Sequence, residues 1–184
     1  MRIIGGKFKK KKLLSVPGAS TRPTSDRLRE SLFNILSGVV MDAVVLDLFA
    51  GTGALGLEAM SRHAASAVFV DSQSQAISVI NKNIRSCSFE ETTRVIKWDI
   101  IRNLNCLHNR DALFSLVFMD PPYNLDMISK TLVNLQKCRC LEQNATIVIE
   151  HSATESVSNF PDSFSQTDQR LYGKTAVSFL VFKN

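Results

Sequence analysis

Short apolar runs alternate with segments of helical periodicity from residue 43 to the end of the chain. The runs predict strands, and the segments between most of them predict amphipathic helices. Strands are predicted over residues 43–49, 67–70, 94–98, 113–119, 145–150, 164–171 and 176–182, and helices over 54–62, 72–86 and 126–137. This alternation is typical of an α/β fold with helices on both faces of a parallel sheet. A Tyr-Gly-Lys-Thr turn joins the last two runs, so we expect a mostly parallel seven-stranded sheet that closes in an antiparallel hairpin.

The first 40 residues follow a different pattern. Residues 2–16 predict an extended, hairpin-like arm that bends at Gly5-Gly6. A helix is predicted over residues 24–37, with Leu28, Leu32, Ile35 and Leu36 as its apolar stripe and Thr24, Ser25 or Asp26 as its N-cap. We therefore divide the chain into an N-terminal arm and helix, residues 1–40, and a globular domain, residues 41–184.

Charge divides at the same place. Residues 1–40 hold nine basic and two acidic side chains, a net of +7, whereas the whole chain has a net charge of +5, so the remainder is net negative. A basic block of this kind attracts a polyanion by counterion release, although a solvated tail is the simpler alternative. The candidate polyanion contacts are Arg2, Lys7, Lys9, Lys10, Lys11, Lys12, Arg22, Arg27 and Arg29.

Other classes of protein are disfavoured by composition. No apolar run approaches the roughly 20 residues that span a bilayer, and no secretory signal is apparent, so we expect a cytoplasmic protein with no membrane partner. The four cysteines and three histidines lack the spacing of ligand sets, and we expect no metal.

A glycine-rich motif, Asp-Leu-Phe-Ala-Gly-Thr-Gly-Ala-Leu-Gly over residues 47–56, joins the first predicted strand to the next helix. Such a loop lets a ligand approach the free amides of a helix N-terminus. Gly51, Gly53 and Gly56 also satisfy the dinucleotide pattern, so an NAD-dependent oxidoreductase is an alternative. Asp47 favours S-adenosylmethionine, because a carboxylate there can accept from the ammonium of an amino acid but would repel a pyrophosphate.

Further acidic residues end the next two predicted strands. Asp71 suits the ribose hydroxyls of either cofactor, and Asp99 is placed to accept from an adenine amine beside the Ile100 amide. Helix capping is the alternative role of both acids. The candidate cofactor-binding residues are Asp47, Phe49, Gly51, Gly53, Asp71, Ser72, Asp99 and Ile100.

A second motif, Asp120-Pro121-Pro122-Tyr123, follows the strand predicted over residues 113–119. Two prolines fix the backbone, and the Asp120 carboxylate and Pro121 carbonyl could then accept both hydrogens of an exocyclic base amine. Tyr123 could stack on that base. An ordinary tight turn is the alternative for this motif alone.

These motifs together resemble the RsmD family. The resemblance is carried by Met-Arg-Ile-Ile-Gly-Gly-Lys-Phe-Lys at residues 1–9, the Arg-Pro-Thr segment within residues 21–34, the glycine-rich motif, Asp120–Tyr123, and Glu150-His151. It implies a class I S-adenosylmethionine-dependent methyltransferase fold of the Rossmann-like type, with S-adenosylmethionine as donor. It further implies that the acceptor is the N2 amine of guanine 966 in bacterial 16S ribosomal RNA.

We therefore expect an rRNA guanine-N2 methyltransferase whose basic arm contacts RNA. The acceptor RNA would lie in an assembled or assembling small ribosomal subunit, and we expect the enzyme to be a monomer. Adenine-N6 methylation of RNA or DNA is the nearest alternative, although this chain has no room for the insert with which DNA enzymes read a duplex. An NAD-dependent oxidoreductase and a catalytically idle RNA-binding protein are the remaining alternatives.

Overall fold

Seven strands and four helices occupy the part of the chain that the computed structural model describes, residues 1–17, 25–108, 112–123, 126–155, 157 and 160–183. The strands are β1 (Val44–Leu48), β2 (Ser66–Asp71), β3 (Thr93–Lys97), β4 (Phe114–Met119), β5 (Leu141–Ser152), β6 (Phe164–Tyr172) and β7 (Thr175–Phe182). The helices are α1 (Asp26–Ile35), α2 (Ala54–Ser61), α3 (Ser74–Ser86) and α4 (Met127–Cys138). Each predicted strand and helix is thus confirmed, with most ends within two residues of their predicted positions, although β5 begins four residues before its predicted start.

The strands form one sheet in the order β3-β2-β1-β4-β5-β7-β6. Strands β1 to β5 are parallel, and β7 runs antiparallel to β5 and β6, so the predicted closing hairpin is confirmed. The chain moves outward in opposite directions from β1 and from β4. Because crossovers are right-handed, this reversal puts α2 and α3 on one face and α4 on the other. It also opens a crevice at the carboxyl ends of β1 and β4, where sheets of this kind bind ligands.

Alternate residues of each strand line the two faces of the sheet. Phe69 and Phe118 belong to the core on one face, which α1, α2, α3 and the N-terminal arm cover. Leu46 and Val117 belong to the core on the opposite face, which α4 covers. We call these the arm face and the α4 face.

The N-terminal arm is a hairpin that packs on the arm face. Arg2 and Lys12 pair in an antiparallel bridge, and the Ile3 amide donates to the Lys11 carbonyl at 2.9 Å. Ile3 and Leu13 are buried in the same core as α2 and the sheet. The arm and the globular domain therefore share one hydrophobic core, and the division at residue 40 remains a prediction based on charge and sequence pattern.

Helix α1 begins after Ser25, whose hydroxyl accepts from the Leu28 amide at 3.2 Å. Ser25 is thus the N-cap, and it is one of the three residues predicted for that position. Three of the four residues of the predicted apolar stripe are buried, namely Leu28, Leu32 and Leu36. The fourth, Ile35, is 43% exposed, whereas Phe33 and Arg29 are 0% exposed. The buried stripe therefore extends to one side of the predicted one and includes a charged residue. No helix among the described residues is long and apolar enough to cross a membrane.

Candidate active site

Four carboxylic acids gather at the carboxyl edge of the sheet. Asp47, Asp71 and Glu150 share the strand phase of neighbours that point to the arm face, and all three are buried. Asp120 follows β4 directly, one position beyond the register pair of Met119 with Ile149. Because β1 and β4 are adjacent, the two sequence motifs meet at the point where the strand order reverses.

The glycine-rich loop is held in a conformation that favours glycine. Phe49, Gly51 and Gly53 have φ values of 58°, 57° and 75°, all in the left-handed region. A left-handed aromatic residue is uncommon, and such strain is concentrated at functional sites. A Cβ on Gly51 would have the Phe49 carbonyl oxygen, at 3.9 Å, as its only described neighbour within 4 Å, so the loop backbone is open to a ligand there.

Gly56 brings helix α2 against the sheet and fixes Asp47. The Gly56 amide donates to Asp47 Oδ2 at 2.9 Å. A Cβ on Gly56 would collide with the Phe69 ring, so only glycine allows this approach. Burial raises the pKa of Asp47 to about 8, the Gly56 amide opposes that rise, and the nearby Asp71 carboxylate adds to it. In these surroundings the Asp47 side chain is therefore largely neutral at pH 7.

Asp71 links the loop to the start of α3. Its Oδ2 accepts from the Gly51 amide at 2.9 Å and its Oδ1 accepts from the Gln73 amide at 2.8 Å. The carboxylate thus organises two backbone segments, while its remaining lone pairs are available to a ligand. Ser72 is exposed beside it. A ribose contact from either residue stays a prediction.

Asp99 lies beyond β3 and is exposed. Its Oδ1 accepts from the Ile101 amide at 3.1 Å and the Arg102 amide at 3.4 Å, so the capping alternative describes the role visible in the structure. Ile100 is buried, and its carbonyl accepts from Asn134 at 2.9 Å. Within the described residues no group accepts from the Ile100 amide, and the expected adenine contact of Asp99 and Ile100 stays a prediction.

The Asp-Pro-Pro-Tyr motif places its acid next to other acids. The pKa of Asp120 is raised well above the usual range, first by burial and then by the Glu150 and Asp47 carboxylates. Pro121 is buried and Pro122 is exposed. Tyr123 is 39% exposed, so its ring is accessible to a base.

The Tyr123 hydroxyl has a contact that the motif does not reveal. It donates to Glu150 Oε1 at 3.4 Å. Burial raises the Tyr123 pKa to about 12, and its hydrogen bond with Thr175 opposes the rise. Glu150 is thus a site residue, although the sequence indicated it only as part of the family resemblance. Strand alternation could have identified it, because it lies two residues after Val148, whose side chain points to the arm face, near the end of a strand.

Buried polar side chains tie the arm to this site. Glu58 of α2 accepts from the amides of Ile4 and Gly5 at 2.6 and 2.8 Å. Asn83 of α3 donates to the carbonyls of Leu14 at 3.1 Å and of Thr52, within the glycine-rich loop, at 2.9 Å. The arm is therefore attached to the loop through one side chain, which sequence analysis did not identify.

Most of the predicted polyanion contacts face solvent. The exposed members of the set are Arg2, Lys7, Lys9, Lys10, Lys11, Lys12 and Arg27. Arg22 lies outside the described residues. The expectation for Arg29 is wrong, because its side chain is 0% exposed and donates to the Arg2 carbonyl and to Asp26, both at 2.8 Å. A phosphate cannot reach this guanidinium in the observed conformation.

Two open depressions lie at the opposite, amino-terminal edge of the sheet. One, of about 430 Å³, is lined by Lys7 and Phe8 of the arm together with His63 and Phe89. The other, of about 350 Å³, lies where β4 and β5 begin. Neither depression is lined by a carboxylate of the candidate site. Among the described residues no three His, Cys, Asp or Glu side chains are arranged so that they could hold a metal ion together.

Comparisons with known proteins agree with the motifs. The family model described as Conserved hypothetical protein 95 matches residues 1–181. The chain is 34% identical over 178 residues to the putative rRNA methyltransferase YlbH of Bacillus subtilis, covering 97% of both proteins. It is 33% identical over 176 residues to ribosomal RNA small subunit methyltransferase D of Escherichia coli strain K12, covering 96% of this chain and 87% of that protein.

A solved structure shows the same arrangement. The putative methyltransferase yhhF of Escherichia coli has a TM-score of 0.87 at 32% identity, covering 100% of this chain and 98% of that chain. The sheet order and the similar solved structures identify the fold as that of class I S-adenosylmethionine-dependent methyltransferases. The resemblance found in the sequence is thus confirmed, and the chain belongs to the Conserved hypothetical protein 95 family, the family of ribosomal RNA small subunit methyltransferase D.

Proposed function

We propose that this protein transfers a methyl group from S-adenosylmethionine to the N2 amine of a guanine in 16S ribosomal RNA. The observation that carries the proposal is that Asp120 lies near Asp47, at the carboxyl ends of β4 and β1, where the strand order of the sheet reverses. An acid suited to a base amine then lies beside a loop suited to an amino-acid cofactor. The names of the relatives support rRNA as the acceptor.

The charges at the site fit a cationic cofactor. The raised pKa values of Asp47 and Asp120 are caused by burial and by other carboxylates, and no described cation is among their causes. S-Adenosylmethionine carries an ammonium and a sulfonium, and when bound it supplies an electrophilic methyl group. Asp47 would hold the ammonium and Asp71 the ribose, with the open backbone at Gly51 alongside. The pyrophosphate of NAD would instead meet several buried acids, so the oxidoreductase alternative loses support.

The Asp120 motif would act on the acceptor. An exocyclic amine has its lone pair delocalised into the ring, and the Asp120 carboxylate and Pro121 carbonyl would accept its two hydrogens and direct the lone pair outward. Methylation leaves the nitrogen with one proton in excess. A carboxylate whose pKa is raised by burial is a competent acceptor of that proton. The Tyr123 ring would hold the base in the stacked position, which an unstacked nucleotide requires.

The arm would capture the RNA. Its exposed lysines and arginines carry most of the excess positive charge, and the rest of the chain is net negative. Long-range attraction for RNA therefore resides in the arm. The proposal also includes three further expectations: the substrate is RNA within a small ribosomal subunit, the enzyme is a monomer, and it acts in the cytoplasm.

The test uses 16S RNA, free and in small subunits, from cells that lack the modification. The RNA is incubated with the protein and isotopically labelled S-adenosylmethionine, and its nucleosides are analysed by mass spectrometry. We expect labelled N2-methylguanosine, and none with the Asp120→Asn variant. Labelled N6-methyladenosine would favour the adenine alternative. Calorimetry with S-adenosylhomocysteine and with NAD would separately test the cofactor.

A further inference from the structure

Glu150 has no role in the mechanism above, although it lies inside the site. It is 7% exposed and lies on β5, the strand next to β4. Met119 of β4 pairs with Ile149 of β5, so Asp120 and Glu150 occupy the next positions of two adjacent strands. Glu150 also accepts from the Tyr123 hydroxyl. A base stacked on Tyr123 with its amine at Asp120 would therefore present an adjacent edge atom to Glu150.

That edge atom differs between the two candidate bases. In guanine the ring nitrogen beside the N2 amine is N1–H, a hydrogen-bond donor. In adenine the ring nitrogen beside the N6 amine is N1 without hydrogen, an acceptor. A carboxylate accepts but does not donate, so it would pair with guanine and repel adenine. The Glu150 carboxylate, together with the Asp120 carboxylate and the Pro121 carbonyl, would then match the three donor hydrogens on the N1–N2 edge of guanine.

We propose that Glu150 accepts the N1–H of the target guanine and thereby selects guanine over adenine. This inference rests on the proposed function and assigns its base specificity to one residue. The Tyr123 contact does not conflict with this role. It is long for a hydrogen bond between two oxygens, at 3.4 Å, and a carboxylate has about four acceptor positions.

The experiment combines an altered base with an altered residue. The target guanine is replaced by 2-aminopurine, which keeps the N2 amine but has an unprotonated N1. Methyl transfer to both RNAs is measured for the wild type and for Glu150→Gln, whose amide can donate to that N1. Glu142→Gln is the matched control, because Glu142 is exposed near the opposite end of the same strand. Tyr123→Phe removes the tyrosine contact while leaving Glu150 in place.

We expect the wild type to prefer guanine over 2-aminopurine by about 5- to 150-fold in kcat/KM, the range for one direct base contact. Glu150→Gln should reverse or abolish that preference, whereas Glu142→Gln and Tyr123→Phe should retain it. Equal use of both RNAs by the wild type would overturn the inference, without needing any variant to fold. An equal loss on both RNAs in Glu150→Gln, with S-adenosylhomocysteine affinity retained, would also overturn it, because a purely structural role predicts that result. If the wild type methylates no guanine, the proposed function itself fails and the inference with it.

Discussion

Cofactor binding should release a proton from Asp47, and affinity should therefore rise with pH. The Asp47 pKa is raised to about 8, because burial disfavours the ionised form. A bound ammonium would favour the ionised form and lower this pKa. Below pH 8 the cofactor must displace a proton to make the contact. Above pH 8 the carboxylate is already ionised and the dependence on this group ends.

The size of the effect follows from the pKa. At pH 7 a group with a pKa of about 8 is roughly nine-tenths protonated, so about 0.9 proton should be released per cofactor bound. Between pH 6 and pH 8 the affinity should rise by up to about 50-fold, which is about 2.3 kcal/mol at about 1.4 kcal/mol per decade. The same raised pKa means that the free energy of unfolding falls as pH rises from about 4 to about 8, because over this range the unfolded chain ionises while the buried group keeps its proton.

Isothermal titration calorimetry with S-adenosylhomocysteine, which keeps the ammonium, measures both quantities. Titrations in buffers of different ionisation enthalpy give the protons released, and a pH series gives the affinity. Asp47→Asn is the control, because an amide oxygen can still accept from Gly56 but cannot titrate. The variant should bind more weakly above pH 8 and release no proton. A flat affinity in the wild type between pH 6 and 8, or equal proton release from the variant, would refute this assignment of Asp47.

Three further predictions follow. Asp120→Asn should lower kcat by about 10²- to 10⁴-fold without changing S-adenosylhomocysteine affinity, and a parallel loss of affinity would contradict its role toward the amine. Replacing Lys9–Lys12 with Gln should flatten the salt dependence of RNA affinity by about 0.7 to 0.9 log units per lost phosphate contact. The control for that variant replaces four exposed lysines elsewhere, namely Lys82, Lys97, Lys130 and Lys137. Identical slopes for both variants would show that the lysines of the arm are only solvated. Glu58→Ala should lower the free energy of unfolding, measured in urea, by about 3 to 5 kcal/mol, because buried hydrogen-bond donors of the arm and of Arg62 lose their acceptor. The control Glu142→Ala, at an exposed position, should lower it only slightly.

The site motifs could be found in the sequence because their positions follow from local pattern. Asp47 and Asp120 each end an apolar run, and the carboxyl ends of parallel strands share one edge of the sheet. The β-branched and aromatic residues of the strands made their boundaries clear to within a few positions. Backbone rules and strand phase were therefore enough to bring these two acids together.

Other residues could not be placed in this way, because their partners are distant in sequence. Glu58 and Asn83 bind backbone groups of the arm 53 to 69 residues away, and no local periodicity marks such contacts. Arg29 did carry a signal, since it lies three and four positions before the buried Leu32 and Phe33. Its charge nevertheless favoured an exposed assignment. Glu150 followed a buried run, but its pairing with Tyr123 depends on the tertiary arrangement.

The attachment of the arm has a consequence for the order of folding. The arm is synthesised before Ser61 and Asn83, the two residues whose side chains its backbone contacts. Contacts of such long sequence separation form slowly, because a long loop must close before they contribute. During translation the lysine-rich hairpin therefore emerges without its docking surface. Since α3 follows the glycine-rich loop, the loop and the arm should become ordered in the same late step, so a newly made chain would acquire cofactor and RNA binding together.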